Sequence, residues 1–516
     1  MKNKLVILSD FCKVADLSEG IMAAIRKEFG SVLPNVDSYK ISHSPLLPDL
    51  ATMTESYVSS RGGRYPKVQM AGVQQWLIEN LSKKITMRMV KNMACLAKAH
   101  GEPFDEKCWK RVVKTYGGYL PIYIKAIPEG YLVPVGLPLV KVGSSVDDRD
   151  VLSVVSYIET SLLRIWAAIT VATISNALRR LCMKNLEKTS DNPLADIGFM
   201  VNDFGSRGVS SEATSAFSGT PHMFNFIGTD NILAVIATMW AYQNEMPGFS
   251  IPASEHSVMS SEGREGEYNK LKKVLNTYAK PGALVACVID TYNAYDFVTD
   301  YAARPEIVDL IKNSGAHKVV FRPDSNCPVM TPVWVVQELA KIYGYTTNSK
   351  GFKKLNYVGV IQGDGVDEDK IAQVQEELIK RGWCVSNIVF GMGGKLLQAI
   401  DRDTQKFAMK ACAYKISDEW KGIGKDPVSA TYEIDDETLE ITPIIELGSF
   451  KKSLVGRVTT LRDPNGNYVL GYEDELELRL AEGYTEGMVL MYEDGQFYNF
   501  STLDEVRARV KEYDYC

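Results

Sequence analysis

The sequence has 516 residues, of which 45% are hydrophobic and 24% charged, and its formal net charge is −6. A chain of this length and composition can bury one large core or two to three smaller ones, which excludes disorder as its main property. Because there is no basic excess to follow a nucleic-acid backbone, any phosphate ligand must be bound by a few placed cations.

The cysteines and the apolar stretches indicate where the protein resides. Nine cysteines are scattered from Cys12 to Cys516 without a CxxC pair, which predicts free thiols in a reducing compartment and neither a zinc site nor a disulfide framework. The apolar part of the start, MKNKLVILSDFCKVAD, is too short for a signal peptide. Glu159 and Arg164 interrupt the apolar residues 151–181, which predicts a buried helix and not a membrane span. We therefore expect a soluble, cytoplasmic protein that binds neither membranes nor nucleic acid.

The predicted elements change in kind along the chain. Residues 1–36 are predicted to form a helical extension, and helical periodicity follows at about 67–116 and 146–187. Four apolar runs then recur, ALVACVIDTY, KVVFRPDS, VGVIQGDG and SNIVFGMGG, with helical segments such as EDKIAQVQEELIKR between them. This alternation is typical of parallel strands in an α/β barrel or an open sheet. Past residue 425, RDPNGNYVLGY and YEDGQFYNF are hairpin signals and predict a β-containing tail.

Each of the four apolar runs is followed by polar or glycine residues, namely Asp290, Arg322, Asp324, Asp364 and Gly393–Gly394. In a parallel sheet the loops after the strands lie on one face, so these residues should converge. Carboxylates there could hold ribose hydroxyls or Mg²⁺, and the glycines could present backbone N–H groups to a phosphate. Each residue could also be a plain turn former, but four successive strands with such ends weaken that alternative.

Two further segments contain candidate site residues. Phe204, Arg207 and Asp230 lie in the small-residue stretch 201–231 and together would suit a flat heteroaromatic amide, although spacing alone favours a core phenylalanine and a helix cap. His256 stands in GFSIPASEHS, where the neutral imidazole could act as a nucleophile toward phosphorus. Spacing alone favours a structural histidine.

The order of the motifs identifies a family. From about residue 37 onward the chain reads DSYKISH, DFGSRGVSS, FIGTDN, IPASEHS, FRPDS, NSKGFK, IQGDGVD, FGMGG and KDPV. In this it closely resembles the nicotinamide phosphoribosyltransferase family of type II phosphoribosyltransferases. The resemblance implies an irregular α/β barrel, residues 188–394, with a mixed α/β domain built from residues 37–187 and 395–516 and an N-terminal extension, residues 1–36.

The family's reaction implies an activity for this chain. It forms nicotinamide mononucleotide and pyrophosphate from nicotinamide and phosphoribosyl pyrophosphate in NAD salvage, with Mg²⁺ and with ATP as a co-substrate. The family's homodimer carries its active sites at the subunit interface. The residues that the resemblance assigns to the substrate are Tyr39, Phe204, Arg207, Asp230, Arg322, Asp364, Gly393 and Gly394.

Within that set, Phe204 and Tyr39 would stack on the pyridine ring, and Asp230 would accept hydrogen bonds from the carboxamide. Nicotinate would instead bring a second negative charge against Asp230. Arg207 and Arg322 would lie beside the base and the sugar phosphate. The ribose hydroxyls would bind Asp324 and Asp364, and the 5′-phosphate would bind the glycine pair.

The resemblance also assigns the phosphate and catalytic groups. Arg61, Arg402 and Lys410 would bind the polyphosphate, with Tyr39 and Arg61 supplied by the neighbouring chain. ATP would phosphorylate His256, and Asp290 is a better candidate than Glu255 for orienting its ring. The expected catalytic set is His256, Asp290 and Asp324, and the latter two are also the expected Mg²⁺ ligands.

The chain departs from the family pattern at Ala408 and Ala286, which replace hydroxyl residues, and at Asn202, which replaces a histidine beside the ring site. These changes affect the expected ATP, base and inhibitor binding.

The nearest competing function is that of a nicotinate phosphoribosyltransferase, from which Asp230 separates this chain. A metal-dependent barrel hydrolase or aldolase would need a histidine-rich metal site or a Schiff-base lysine at a strand end, and a non-catalytic scaffold would have lost some site residues.

Overall fold

The computed structural model describes residues 31–446 and 452–514. The predicted helical extension falls mostly on residues 1–30 and so lies largely outside the described residues. The chain divides into two compact units: unit 1 comprises the residues up to Trp166 together with Arg402–Ser501, and unit 2 comprises Ala167–Asp401 together with the residues from Thr502 on. The domain boundaries given by the sequence remain a prediction.

Strands and helices alternate in the middle of the chain, whereas the last third is mostly strands. In chain order the strands are β1 Ala51–Ser60, β2 Lys67–Gln69, β3 Ile122–Ala126, β4 Leu132–Pro134, β5 Val140–Ser144, β6 Val201–Asp203, β7 Gly228–Thr229, β8 Leu284–Val288, β9 Lys318–Arg322, β10 Tyr345–Thr347, β11 Lys353–Leu355, β12 Val358–Gln362, β13 Ile388–Met392, β14 Phe407–Ile416, β15 Glu419–Gly422, β16 Ser429–Ile434, β17 Ile441–Glu446, β18 Val458–Arg462, β19 Tyr468–Tyr472, β20 Thr485–Glu486, β21 Val489–Glu493 and β22 Gln496–Phe497. The α-helices are α1 Val73–Leu81, α2 Met87–His100, α3 Glu106–Thr115, α4 Val154–Tyr157, α5 Glu159–Leu162, α6 Ile165–Thr189, α7 Pro193–Asp196, α8 Glu212–Gly219, α9 His222–Asn225, α10 Ile232–Tyr242, α11 His256–Met259, α12 Gly263–Tyr278, α13 Ala294–Asp296, α14 Pro305–Asn313, α15 Met330–Tyr343, α16 Glu368–Lys380, α17 Gly394–Leu397, α18 Leu476–Ala481 and α19 Leu503–Lys511.

Unit 1 contains an antiparallel sheet in the order β15-β14-β1-β5-β3-β21-β22. Its central strand β5 carries the buried Lys141, whose Nζ lies 2.9 Å from carboxylate oxygens of both Glu55 and Glu473. A buried charge is tolerated only when it is paired in this way, so the pairing fixes the position of β5 in the sheet. The tail hairpins predicted from RDPNGNYVLGY and YEDGQFYNF are confirmed as β18–β19 and β21–β22.

Unit 2 contains the parallel sheet that the apolar runs predict, in the order β7-β6-β13-β12-β9-β8. The four predicted runs form β8, β9, β12 and β13, and the intervening segment EDKIAQVQEELIK forms α16. The Asp367 side chain caps α16 by accepting the Lys370 N–H at 2.9 Å. Its buried residues Ile371, Val374 and Leu378 follow the helical period.

The extended segment Phe249–Ala253 closes this sheet into an irregular barrel. On one side, Thr229 of β7 donates its N–H to the Phe249 carbonyl at 2.9 Å. On the other side, Ala286 of β8 donates to the Pro252 carbonyl at 2.9 Å, and Ala253 forms a parallel bridge with Ala286. The segment therefore joins the two edge strands, and the predicted α/β barrel fold is confirmed.

The structure also bears on the cysteine and membrane-helix predictions. The cysteines within the described residues are free thiols, whereas Cys12 and Cys516 lie outside them. Among the described residues, no single helix has the length and apolar composition to span a membrane, although the bent pair Arg149–Leu162 and Ile165–Thr189 passes on those two criteria together.

A buried ion pair attaches the end of the chain to unit 2. The Arg179 guanidinium donates to both carboxylate oxygens of Asp514, at 2.6 and 2.7 Å, and to the Asn225 carbonyl at 2.6 Å. The Arg179 and Asp514 side chains are only 7% and 1% exposed. This pair fixes the segment after α19 against α6, and the same guanidinium joins α6 to Asn225, the last residue of α9.

We expect Asp514→Ala to lower the free energy of unfolding by about 3–5 kcal/mol, because it leaves the Arg179 guanidinium buried without its carboxylate. Denaturant titration followed by circular dichroism measures the change. The matched control is Glu376→Ala, which breaks the exposed ion pair with Lys380 and should cost about 1 kcal/mol or less. Equal effects of the two substitutions would contradict the proposed role of the Arg179–Asp514 pair.

Candidate active site

The carboxyl ends of the parallel strands of unit 2 meet at one edge, where a polar cavity of about 550 Å³ opens. Parallel strands place the residues that follow them at the same edge, which is why side chains distant in sequence share this cavity. The residues lining it are Asp203, Phe204, Ser206, Arg207, Asp230, Arg322, Asp324, Gly363, Asp364 and Gly393. The structure thus brings together seven of the residues that the sequence singled out.

A second, mostly apolar cavity of about 440 Å³ extends into the barrel. Its middle is lined by inward-facing residues of successive strands, among them Ala286, Val320 and Ile361. It shares Phe204, Asp230 and Arg322 with the polar cavity. These three residues mark the junction of the two cavities, and a ring placed there would meet apolar walls on one side and charges on the other.

The Phe204 ring lies at this junction because glycine leaves room for it. A Cβ atom on Gly391 would lie 2.0 Å from Cε2 of Phe204, so any larger residue would displace the ring. The Phe204 backbone N–H donates to the Met392 carbonyl at 3.1 Å, which fixes the chain as it leaves β6. Gly391, the first glycine of FGMGG, therefore leaves the space that the Phe204 ring occupies.

Asp230 lies beside a hydroxyl and a second carboxyl group. Its carboxylate accepts a hydrogen bond from the Ser250 hydroxyl, and its backbone N–H donates to the Asp203 carbonyl at 3.0 Å. Burial, with a smaller contribution from the nearby Asp230 charge, raises the pKa of the Asp203 carboxyl to about 6. Hydrogen bonds from Gly205 N–H and the Asn231 amide oppose this shift. The site is therefore unfavourable for an additional anion beside Asp230.

His256 is the first residue of α11 and is about half exposed. Its Nε2 lies 3.9 Å from Asp290 Oδ1 and 3.8 Å from Asp324 Oδ2, and its Nδ1 lies 3.4 Å from the Thr291 hydroxyl. The ring thus faces the carboxylates without a direct hydrogen bond to either. The neighbouring Glu255 accepts from the Ser257 hydroxyl and makes no contact with the ring that the structure shows.

Asp290 holds the loop after β9. One of its oxygens, Oδ2, accepts the backbone N–H groups of Asp324, at 2.9 Å, and of Ser325. Its other oxygen, Oδ1, and Asp324 Oδ1 are buried and have no hydrogen-bond partner in the part of the chain that the structure describes. Burying a carboxylate oxygen without a hydrogen-bond partner costs free energy. A bound cation or a ligand hydroxyl would offset that cost, so these two oxygens suit such a ligand.

The charges around Asp324 also favour a cation at this place. Burial raises the pKa of the Asp324 carboxyl, and the Asp290 and Asp364 charges add to this. Arg322, whose Nε lies 3.1 Å from Asp324 Oδ2, and His256 oppose it. Within the described residues no cluster of three or more His, Cys, Asp or Glu side chains is arranged to hold a metal. Asp290 and Asp324 therefore fit Mg²⁺ that takes its other oxygen ligands from substrate and water.

Of the other predicted site residues, Gly394 begins α17 in unit 2, and Tyr39, Arg61, Arg402 and Lys410 belong to unit 1. Burial lowers the pKa of Lys410, the Glu159 charge opposes this shift, and the positive charges of Arg61, Lys425 and Lys40 add to it. Arg402 is 55% exposed and lies 3.7 Å from the Asp403 carboxylate. The Tyr39 ring is 56% exposed. Tyr39 and Arg402 are thus accessible to a ligand.

The three departures from the family pattern have clear positions. Asn202 and Ala286 line the apolar cavity, and the Asn202 amide donates to the Phe199 and Phe390 carbonyls at 3.0 and 2.9 Å. Ala408 is buried in β14, where it pairs with Ser59 of β1. Asn202 and Ala286 therefore change the wall of the apolar cavity, whereas Ala408 lies outside the lining of both cavities.

Sequence reasoning missed Asp203, Thr291 and Ser250. Asp203 begins the DFGSRG stretch, and an aspartate two residues before a glycine is typical of a turn. Thr291 directly follows Asp290, and that adjacency was an available signal. Ser250 depends on the barrel closure, because only the position of Phe249–Ala253 brings its hydroxyl to Asp230, and sequence spacing carries no such information.

Comparisons with known proteins identify the family of this chain. Residues 199–439 match the model of the nicotinate phosphoribosyltransferase (NAPRTase) family, and residues 31–124 match the nicotinamide phosphoribosyltransferase N-terminal domain. A nicotinamide phosphoribosyltransferase of Xanthomonas campestris pv. campestris is 38% identical over 93% of this chain and 98% of its own length. One of Mycoplasma pneumoniae is 30% identical over 76% of this chain and 91% of its own.

Two solved structures share the fold. A nicotinate-nucleotide pyrophosphorylase from Pyrococcus furiosus has a TM-score of 0.54 at 15% identity and covers 97% of both chains. Human nicotinic acid phosphoribosyltransferase has a TM-score of 0.52 at 14% identity, over 92% of this chain and 93% of its own. From the sequence matches, the chain belongs to the nicotinamide phosphoribosyltransferase family and is an enzyme of the pentosyltransferase class.

Proposed function

We propose that this enzyme transfers the phosphoribosyl group of phosphoribosyl pyrophosphate to nicotinamide, forming nicotinamide mononucleotide and pyrophosphate in NAD salvage. The observation that carries the proposal is the junction of the two cavities at Phe204, Asp230 and Arg322. An apolar slot for a flat ring opens there onto a polar chamber suited to a phosphorylated sugar. The relatives that carry this name support the same assignment.

The base would be chosen by Asp230. The carboxamide NH₂ of nicotinamide donates to the Asp230 carboxylate, whose other hydrogen bond comes from Ser250. Nicotinate would place a carboxylate beside Asp230, with Asp203 close by, so like-charge repulsion disfavours it. The ring stacks on Phe204, and Tyr39 would supply the opposite face.

The sugar and its phosphates would occupy the polar cavity. Ribose hydroxyls donate to Asp324 and Asp364, and the backbone at Gly393 and Gly394 receives the 5′-phosphate. Arg207 and Arg322 lie beside the base and the phosphate, while Arg61, Arg402 and Lys410 bind the polyphosphate. Held in this way, C1 of the ribose faces the ring nitrogen while the C1–O bond to pyrophosphate breaks.

Asp290 and Asp324 would hold Mg²⁺ through their unpartnered oxygens. When bound, the ion supplies positive charge that stabilises the leaving pyrophosphate. The protein's own cations add to that stabilisation, and the transition state has oxocarbenium character that needs little acid–base help.

His256 would couple ATP hydrolysis to transfer. An imidazole nitrogen attacks the γ-phosphorus of ATP, the new N–P bond forms as the P–O bond to ADP breaks, and water later takes the phosphoryl group as inorganic phosphate. The half-exposed ring gives ATP access, and Asp290 and Asp324 face the ring at 3.8 to 3.9 Å, where they stabilise its positive charge.

The same proposal includes a cytoplasmic homodimer whose neighbouring chain supplies Tyr39 and Arg61. Helix α10 has an exposed apolar face suited to self-association, formed by Ile232, Ile236 and Trp240, which are 65%, 58% and 54% exposed. These residues repeat every four positions and so lie on one side of the helix. The free thiols among the described cysteines fit a reducing compartment.

We expect Asp230→Asn to lower kcat/KM for nicotinamide by roughly 10- to 100-fold, the size of one lost charge-assisted hydrogen bond. The same substitution should lower the ratio of kcat/KM for nicotinamide to kcat/KM for nicotinate, because it removes the like-charge repulsion between nicotinate and Asp230. Steady-state product formation with each base measures both effects. The control is Asp309→Asn, on the exposed side of α14 and outside both cavities. An unchanged preference in Asp230→Asn would refute the proposed base recognition.

We expect His256→Ala to retain slow phosphoribosyl transfer and to lose its stimulation by ATP. Transfer is followed with and without ATP, and phosphoryl incorporation is followed with γ-labelled ATP. His100→Ala, at the exposed end of α2, serves as the matched control and should keep both properties. A His256→Ala enzyme that ATP still stimulates would show that the coupling residue lies elsewhere.

A further inference from the structure

Asp203, the last residue of β6, lies between the two segments that carry the proposed base-binding residues. It directly precedes Phe204, and its backbone carbonyl accepts the Asp230 N–H at 3.0 Å. Its side chain is fully buried, and each carboxylate oxygen accepts a hydrogen bond. Oδ1 accepts the Gly205 N–H at 2.7 Å, and Oδ2 accepts the Asn231 amide N–H at 3.2 Å. Asp203 thus joins the chain around Phe204 to the chain around Asp230.

The two donors that face the Asp203 carboxylate are fixed. The Gly205 donor is a backbone N–H, which cannot act as an acceptor. The Asn231 amide has one orientation, because its Oδ1 accepts the Ala234 N–H at 3.1 Å and the Ser215 hydroxyl at 3.0 Å. Its Nδ2 also donates to the Ser215 carbonyl at 3.0 Å. Turning the amide would set its NH₂ against the Ala234 N–H, so a donor always faces Asp203 from this side.

Position 203 therefore needs two acceptor atoms and no hydrogen between them. Among side chains of this size only an ionised aspartate meets that requirement. An asparagine, or a protonated aspartate, would set a hydrogen against one of the two fixed donors and leave a buried bond unmade. The packing is also close, since a Cβ atom on Gly219 would lie 3.1 Å from Asp203 Oδ2 and 2.5 Å from Asn231 Nδ2.

The hydrogen bonds of Asp203 set the positions of both proposed base contacts. Asn231, the N-cap of α10, donates its own N–H to the Thr229 hydroxyl at 3.0 Å. Asp230 is held between these two anchored residues, and its N–H is bound to the Asp203 carbonyl. Phe204 lies between Asp203 and the glycine that Oδ1 binds. The carboxylate thus relates the ring that would stack on the base to the oxygen that would accept its amide.

The surroundings of Asp203 determine the pH at which it is ionised. The residues packed against it from β7, β13 and α8 are uncharged, namely Thr229, Met392 and Gly219. The charged side chains that line the polar cavity with it are Asp230, Arg207, Arg322, Asp324 and Asp364. Burial raises its pKa to about 6, with a smaller contribution from Asp230, against the effect of the two N–H donors. Asp203 therefore takes up a proton as the pH falls through about 6.

We propose that ionised Asp203 is a positioning residue for base recognition, which holds Phe204 and Asp230 in the geometry that binds nicotinamide. Proton uptake forfeits one of its two hydrogen bonds and loosens that geometry. Asp203 is fully buried, so it acts on the base through these two neighbours. The inference rests on the proposed function for the identity of the base, whereas the need for two acceptors at position 203 holds for any ring bound at Phe204.

A single and a double substitution test the need for two acceptors. Asp203→Asn sets an amide hydrogen against a fixed donor and should weaken nicotinamide binding, measured by isothermal titration calorimetry, by about tenfold. Adding Asn231→Asp replaces the facing NH₂ by an oxygen and keeps a good helix cap. It leaves only the Ser215 carbonyl without its donor, so the double variant should recover most of the affinity.

The matched control is Asp309→Asn, the same chemical change on the exposed side of α14, which should bind nicotinamide as the wild type does. Circular dichroism confirms that each variant is folded. A double variant that binds no better than Asp203→Asn, or an Asp203→Asn enzyme that binds as the wild type does, would overturn the proposal.

The pH dependence of binding is a readout that a purely structural role would not change. Nicotinamide is titrated from about pH 5 to about pH 8 without ATP or phosphoribosyl pyrophosphate, so that their phosphate groups do not contribute. The wild-type Kd should rise as the pH falls through about 6. Asp203→Asn should bind weakly without that step. Other groups of the site are common to both proteins, so identical pH profiles would contradict the role of Asp203.

Two further measurements separate this inference from the proposed function. The titrations are repeated with nicotinate: tighter binding of nicotinate would contradict the proposed base, whereas the same loss and recovery across the variants would leave the positioning role standing. Crystal structures without ligand need no base at all. They should show Phe204 and Asp230 displaced relative to each other in Asp203→Asn and returned in the double variant. An unmoved pair in Asp203→Asn would overturn the inference even if turnover with nicotinamide is established.

Discussion

The closure of the parallel sheet by Phe249–Ala253 is the constraint on which the site depends. Without the hydrogen bonds of this segment to β7 and β8, the sheet would be open and the apolar cavity would lack a wall. The same few residues bring Ser250 to Asp230 and, three residues after Ala253, begin α11 at His256. Barrel closure, the proposed base recognition and the position of His256 therefore all depend on the segment Phe249–Ala253.

The site concentrates carboxyl groups, and this accounts for the substrates that we propose. Asp203, Asp230, Asp290, Asp324 and Asp364 lie in or beside one chamber, with Arg322 as the closest counter-charge shown. Such a chamber favours ligands that bring donors or cations: an amide NH₂, ribose hydroxyls and a metal-bound polyphosphate. It disfavours an additional carboxylate at the base. The electrostatic arrangement thus supports the amide over the acid independently of the names of the relatives.

The fold was largely predictable because its signals are local. Continuous Val/Ile runs separated by helical segments identified β8, β9, β12 and β13, and parallel geometry then implied that Arg322, Asp324, Asp364 and Gly393 meet. The alternative with a Schiff-base lysine has no support here. Lys318, whose pKa burial lowers to about 8, lies at the amino end of β9, away from the strand ends that carry the carboxylates.

The contacts made across the barrel could not be predicted from the sequence. That Asp290 orients the His256 ring stays a prediction: its Oδ1 lies 3.9 Å from the ring, its Oδ2 accepts the backbone N–H groups of Asp324 and Ser325, and the Thr291 hydroxyl is the closer polar contact of the ring. The buried state of Asp203 depends on Gly205 and Asn231, which reach it from different elements. The hairpin β16–β17 was only part of a predicted β-rich tail, because the sequence alone does not give the register of its strands.

The central claim is that the enzyme makes nicotinamide mononucleotide from nicotinamide. The most direct measurement is product formation from phosphoribosyl pyrophosphate with nicotinamide and with nicotinate in parallel, each with and without ATP and Mg²⁺. The account predicts nicotinamide mononucleotide as the selective product, formed faster with ATP. A preference for nicotinate, or no turnover with either base, would contradict it.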